Sequence, residues 1–311
     1  MNQSFPKPVD YPQSVEDLCR QHALPALAVR GDSAARIASI AHPRDATVGS
    51  IAFIARADED ARRLVATSRA SVLVMKLEAA PKSGQCFIQV DDPHAWYIAA
   101  LGLLFAPRPA PAVDASARID PGARVGRNCR VGAFTIIEAD CEIGDDVEIG
   151  DHVTVKRGSR IGKACVIQHH VTIGGEGVAF HRAADDSWHF FPHHGNVWIG
   201  DRVAIGSHSV IVRGMLQNTI IGSGSKLGNF VNVAHNCEIG ENCWISSKVL
   251  FCGGVRLEPD VRLAAGVAVS SYVQVGRGAR IGLGSVVTKD VAPGAAMFGN
   301  PAKVLRTMRP F

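Results

Sequence analysis

Among the 12 histidines of this 311-residue chain, His235 lies in the stretch NVAHN, residues 232–236. A neutral imidazole, with an ordinary pKa of about 6.5, can take a proton from an attacking amine near pH 7. Gly253 follows 18 residues later. A glycine N–H can steady a developing oxyanion, and a glycine can equally serve as a chain corner. His169 has the same phase as His235 relative to its flanking aliphatics, so phase alone does not single out the base. A metal centre would need three of His152, His169, His170, His208 and His235 to converge. Of the eight cysteines, Cys129, Cys141, Cys165, Cys237 and Cys243 share one sequence phase, and no CxxC pair occurs. That pattern reads as buried, inert thiols, outside disulfide or metal chemistry.

The phase comes from a six-residue repeat. Ile221, Leu227, Val233, Ile239, Ile245, Phe251, Leu257, Leu263, Val269, Val275, Ile281 and Val287 recur at every sixth position, and the same period runs from Val113 to Ile173. No α-helix has this period, and a unit that cannot bury its own face must stack on copies of itself. The residue two before each large aliphatic is mostly small, so each hexad aims one large and one small side chain inward. Three such faces close a triangular prism whose coil takes 18 residues, which places Gly253 one layer from His235. Glycine often follows the large residue, as at Gly144, Gly150, Gly162, Gly240 and Gly282, where a corner wants no Cβ.

Interruptions of the repeat fall at residues 174–196 and between Ile211 and Ile221. Loops leaving a rigid scaffold are where binding function concentrates. Ahead of the repeat, residues 1–107 read as a separate mixed α/β domain, with 108–311 forming the repeat domain. Helices are expected at 14–24, begun by Ser14, at 57–68 and at 95–105. Strands are expected at 37–42, 50–55, 71–76 and 86–90. The proline-rich segment 106–113 should link the domains. Net charge is +4, with basic residues scattered among acids, which argues against nucleic acid as a main partner. Neither a signal peptide nor a transmembrane run is apparent, giving a cytoplasmic expectation.

The sequence resembles the UDP-3-O-(3-hydroxyacyl)glucosamine N-acyltransferases of lipid A synthesis over nearly its whole length. GSIAFI (49–54), ASVLV and DDPHAWY (91–97) carry this in the first domain. GGEGVAF (174–180), NVWIGDRVAIG (196–206), RGMLQNTIIG (213–222) and GNFVNVAHNCEIG (228–240) carry it in the repeat. The resemblance implies a left-handed β-helix, His235 as general base, and the Gly253 N–H as oxyanion donor. It also implies substrate contacts at Asn229, Asn232, Arg213, Tyr272, Phe53 and Arg56, and a homotrimer with three equivalent clefts. No permanently bound cofactor or metal is implied. The donor would be a phosphopantetheine thioester, on acyl carrier protein or coenzyme A, and the acceptor a sugar nucleotide.

The chain departs from the family pattern at identifiable places. Gly228 and Val212 replace aspartates, Tyr272 takes the place of an assisting histidine, and Phe53, Arg56, Glu59 stands where Phe, Asn, Tyr is usual. Glu59 could neither pair with uracil nor sit well near a diphosphate. GNPAK (299–303) resembles the closing motif of coenzyme A-dependent acyltransferases and makes Asn300 and Lys303 candidate donor contacts. These departures favour, as an alternative, N- or O-acylation of a different amino sugar or small metabolite from acyl-CoA. A zinc enzyme of carbonic anhydrase type and an inactive scaffold are the readings from other classes. Phe180, Trp188, Met215 and Trp244 are candidate lining for an acyl channel.

Overall fold

The computed structural model describes residues 14–21, 25–104 and 112–305. The chain divides into two compact units, Met1–Pro109 and Ala110–Phe311. The expected linker at 106–113 and the last residues of the expected helix at 14–24 lie mostly outside the described residues.

The first unit contains α1 (Val15–Gln21), β1 (Ala28–Gly31), β2 (Ser39–Ile40), β3 (Ser50–Ile54), α2 (Glu59–Thr67), β4 (Val72–Met75), β5 (Cys86–Gln89) and α3 (Pro93–Leu104). Its sheet has the order β1-β5-β4-β3-β2, parallel except where β1 runs antiparallel to β5. β4 is wholly buried and β3 nearly so, as strands covered on both faces must be. Asp58 caps α2 by accepting from the Ala61 N–H at 2.9 Å, and Asp92 accepts from the Ala95 N–H at 3.0 Å at the start of α3. The Tyr97 hydroxyl donates to the Ile51 carbonyl at 3.2 Å, tying α3 to β3.

The second unit is a left-handed parallel β-helix whose three faces are sheets of 8, 10 and 9 strands. Strands one coil apart pair in parallel with an 18-residue offset, for example Asn232↔Leu250 and Val233↔Phe251. The recurring aliphatics from Val131 to Ile281, with Cys141, Cys165 and Cys237 beside them, form one continuous buried core. Burial pushes the Cys237 thiol up to about 12, so it is a packing group, not a nucleophile. Outside, paired charges such as Arg256 and Glu238 climb the prism at 3.2 Å; exposed pairs of this kind add little stability.

The corners divide two tasks that the repeat alone does not separate. Glycine after the inward aliphatic prevents collision: a Cβ on Gly240 would lie 2.6 Å from backbone atoms of the next coil. The left-handed backbone falls two residues later, on Asn242 (φ 53°), Lys248 (φ 59°) and Asn236 (φ 61°) among others. Asn and Asp tolerate this conformation best. One corner instead carries Phe134, His152, His170, His208 and Phe230. Their rings stack at centroid spacings of 5.1, 4.8, 4.7 and 5.0 Å.

The segment 174–196 leaves the prism as expected and contains a hairpin, Phe180–Arg182 paired antiparallel with Trp188–Phe190. The chain then rejoins the sheet at Val197–Ile199, beside Arg160–Ile161.

Candidate active site

His235 follows the short strand Asn232–Val233, at the corner where the chain turns toward Glu238–Ile239. It is half-buried and lies directly against Gly253: a Cβ there would be 2.4 Å from His235 Cε1 and 2.6 Å from Nε2. The one-coil stacking of residues 18 apart produces this contact, and only hydrogen at Gly253 leaves room for the ring. The Gly253 N–H donates to no protein acceptor among the described residues, whereas its neighbour Gly254 donates to the His235 carbonyl at 2.9 Å.

The ring's tautomer follows from its neighbours. The Met215 N–H donates to Asn236 Oδ1 at 2.9 Å, which identifies that atom as the amide oxygen. His235 Nδ1 lies 3.2 Å from the same oxygen and is therefore the protonated nitrogen. Nε2 keeps the lone pair. The partner is a neutral amide, so it fixes the ring without the electrostatic push of a carboxylate. Asn236 is held in turn by donating its N–H to Thr219 Oγ1 at 3.0 Å.

An open cleft of about 450 Å³ surrounds this ring, lined by Met215, Gln217, His235, Asn236, Arg256 and Tyr272 among others. Met215 and Gln217 come from the second irregularity, which folds back onto the corner. Tyr272 is 77 % exposed, and its ring covers Gly254, where a Cβ would meet it at 2.6 Å. Behind the cleft sits His193, only 3 % exposed. Its ring meets His235 edge to face, with centroids 5.6 Å apart at 69°.

The other sequence candidates are placed as follows. Arg213 is committed to holding the extruded loop, donating to the Gly195 carbonyl at 2.8 Å, Asn196 Oδ1 at 3.0 Å and the Arg157 carbonyl at 3.3 Å. Asn229 stands at the opposite end of the strand from His235, where its Oδ1 accepts from the Ser207 N–H at 2.9 Å. Asn232, between them, lies on the outer side of that strand. This chain alone therefore does not bring Asn229 to its own cleft. Asn300 and Lys303 belong to the closing hairpin, Ala296–Phe298 with Lys303–Val304. That is more than three coils beyond His235, roughly 15 Å at about 4.8 Å per coil. Of the acyl-channel candidates, Met215 lines the cleft. Phe180 and Trp188 are exposed on the extruded hairpin, and Trp244 lines a separate groove with Arg262 and Leu283. Among the described residues no group of three or more His, Cys, Asp or Glu side chains could hold a metal.

Phe53 and Arg56 meet in the first unit, around a pocket of about 400 Å³ with His42, Arg44, Asp60, Leu64 and His94. The Phe53 ring rests against Tyr97 (4.7 Å) and His94 (5.0 Å). Glu59 does not line this pocket; it is the exposed first residue of α2, where its charge favours the helix N-terminus. Glu59 itself thus stays out of the lining, while its neighbour Asp60 places a carboxylate in it beside Arg44 and Arg56.

Sequence reasoning missed His193, Asn236, Arg256 and Gln217. His193 carries no hexad phase, because it stands in the interruption, and the importance of Asn236 depends on a contact from a distant loop.

Known proteins are similar to this chain in sequence and in fold. The family described as bacterial transferase hexapeptide (six repeats) matches residues 122–157, 140–175 and 218–253. A UDP-3-O-acylglucosamine N-acyltransferase of Pseudomonas syringae pv. tomato is 36% identical over 236 residues, 69% of this chain and 66% of that protein. One from Methylobacterium nodulans is 36% identical over 146 residues, 47% of this chain and 41% of its own length. Another, from Gloeobacter violaceus, is 39% identical over 293 residues, 88% of this chain and 84% of that protein. The chain thus spans less than half of one of these relatives and most of another. Solved UDP-N-acetylglucosamine acyltransferases have the same fold. That of Francisella novicida has a TM-score of 0.58 at 23% identity over 62% of this chain and 70% of its own. That of Bacteroides fragilis scores 0.56 at 25% identity over 62% and 74%. At 39% identity over 84% of the Gloeobacter relative, the chain belongs to the family of UDP-3-O-acylglucosamine N-acyltransferases.

Proposed function

We propose that the protein transfers an acyl group from a phosphopantetheine thioester to the amine of a UDP-3-O-acylglucosamine-type acceptor. The observation that carries this reading is His235 Nε2, left with its lone pair by the Asn236 contact and lying against Gly253.

The acceptor nitrogen attacks the thioester carbon while His235 Nε2 removes one N–H proton. The carbonyl oxygen gathers negative charge, which the Gly253 N–H receives; a fixed donor of this kind contributes about 3 kcal/mol. Collapse breaks the C–S bond, and the proton on His235 passes to the departing thiolate. Amide and free thiol result, with the base restored. The neutral Asn236 suits this cycle, since a carboxylate partner would hold the proton more tightly on the ring.

The first-unit pocket would hold the nucleotide, with Phe53 under the base and Arg44 and Arg56 toward the phosphates. Asn300 and Lys303, at the far end of the prism, would meet the remote part of the donor. A homotrimer supplies a second wall to each open cleft and lets the Asn229 corner of one chain approach the cleft of another. Mass spectrometry of product from UDP-3-O-acylglucosamine, with acyl carrier protein and coenzyme A donors in parallel, tests acceptor and donor. An N-acylated sugar nucleotide supports the reading; no product with either donor from a folded protein rejects it.

A further inference from the structure

One buried side-chain atom among the described residues lacks any hydrogen-bond partner: Nε2 of His193. His193 Nδ1 lies 3.0 Å from the Phe191 carbonyl, so Nδ1 carries the proton and donates it, and Nε2 is an unshared lone pair. Buried acceptors are nearly always satisfied, and one that is not calls for an explanation. The ring is enclosed on all sides: a Cβ on Gly177 would come within 2.8 Å of Nε2 and 3.4 Å of Cε1, and Phe190 lies 6.1 Å away by centroids. The loop end bearing it is anchored, with the His194 N–H donating to the Met215 carbonyl at 2.7 Å and Arg213 holding Gly195.

Resting on the proposed role of His235, we propose that His193 is a positioning residue for that base. It walls the His235 ring from its buried side and sets against it, edge to face, an uncharged ring whose unshared lone pair favours positive charge on His235. In the resting state the acceptor is unsatisfied. When His235 becomes an imidazolium, positive charge appears 5.6 Å from this electron-rich ring, in a setting where fixed dipoles act strongly. The device requires His193 to stay neutral. Burial holds its imidazole below the ordinary value, helped by His235 and Arg213 and opposed by Glu176 and the Phe191 carbonyl. On the cleft side, the charged or titratable groups near His235 are Arg256, paired with Glu238, and Tyr272.

Selective histidine NMR on the full-length protein reads the His235 titration without any substrate, so it decides the matter whether or not acyl transfer is found. His193→Phe and His193→Met remove the acceptor with different shapes, while His193→Gln retains one. The first two should lower the His235 pKa by about half a unit or more, and His193→Gln should restore most of it. Where turnover is measured, kcat should fall about tenfold in the first two with KM unchanged, and the acid limb should move with the titration. An identical His235 titration in wild type and in whichever of the two variants melts normally would overturn the proposal. Failure of the acylation reading would instead appear as absence of product in wild type.

Discussion

In the proposed mechanism Gly253, through a single hydrogen atom, decides where the His235 ring can sit. Its φ is outside the left-handed region, so alanine suits the backbone, yet the added methyl would stand 2.4 Å from His235 Cε1. The ring has to swing away. Misplacing a reacting group by about 1 Å can cost a hundredfold in rate, whereas overpacking at one site costs about 1–3 kcal/mol of stability. Gly253→Ala should therefore lose about a hundredfold or more in kcat while remaining folded, checked by steady-state kinetics beside a thermal melt; an unchanged kcat would contradict this geometry. The contact of His235 with Gly253 was legible from the sequence, because the 18-residue coil fixes which residues stack; the proposed roles of the pair came from the family resemblance. Asn236 sits in the same motif, but its orienting role needed the Met215 N–H from the 212–219 loop. No periodic pattern places that loop. His193 was hidden for the same reason, since the return path of a 23-residue interruption is not fixed by local sequence.

The corner stack is a property of elements rather than of any one residue. His152, His170 and His208 each take a left-handed corner, at φ 56°, 59° and 60°, and the coil spacing aligns their rings within 4° of parallel. His170 is held below its ordinary pKa, first by desolvation in the stack and then by like charge from His208 and His152. The native state thus resists a proton that the unfolded chain accepts. Stability from this group is present above the unfolded value of about 6.5 and is lost as pH falls through and below it. The melting temperature should drop between pH 7.5 and 5.5, and His170→Asn, which suits a left-handed corner, should drop less; equal slopes would show that His170 does not carry this pH dependence. Periodicity revealed the prism because large inward residues repeat without error. It could not reveal β1, whose sequence AVRG is short, mostly exposed and ends in glycine, the profile of an edge strand set by its antiparallel partner Cys86–Gln89.

At the scale of the whole molecule, the proposed function divides the work between two units. In it the prism carries the reacting groups, and the amino-terminal unit has an aromatic and cationic pocket around Phe53, Arg44 and Arg56. If the pocket only holds the nucleotide, its loss removes binding common to ground and transition states. Phe53→Ala should then raise the acceptor KM about tenfold, the worth of one base stacked on an aromatic ring, and leave kcat within about twofold. A fall in kcat with KM unchanged would place Phe53 in the chemistry instead. The fold was legible throughout the repeat, and two residues of the first-unit pocket, Phe53 and Arg56, were named from the sequence. His42, Arg44 and His94 could not be assigned, since three separate segments of the unit bring them together. The most direct test of the whole account is the rate of N-acylation of UDP-3-O-acylglucosamine by wild type and by His235→Ala, compared at equal folded fraction. Loss of a general base predicts a fall of about a hundredfold or more, and a variant retaining activity within a few fold of wild type would contradict it.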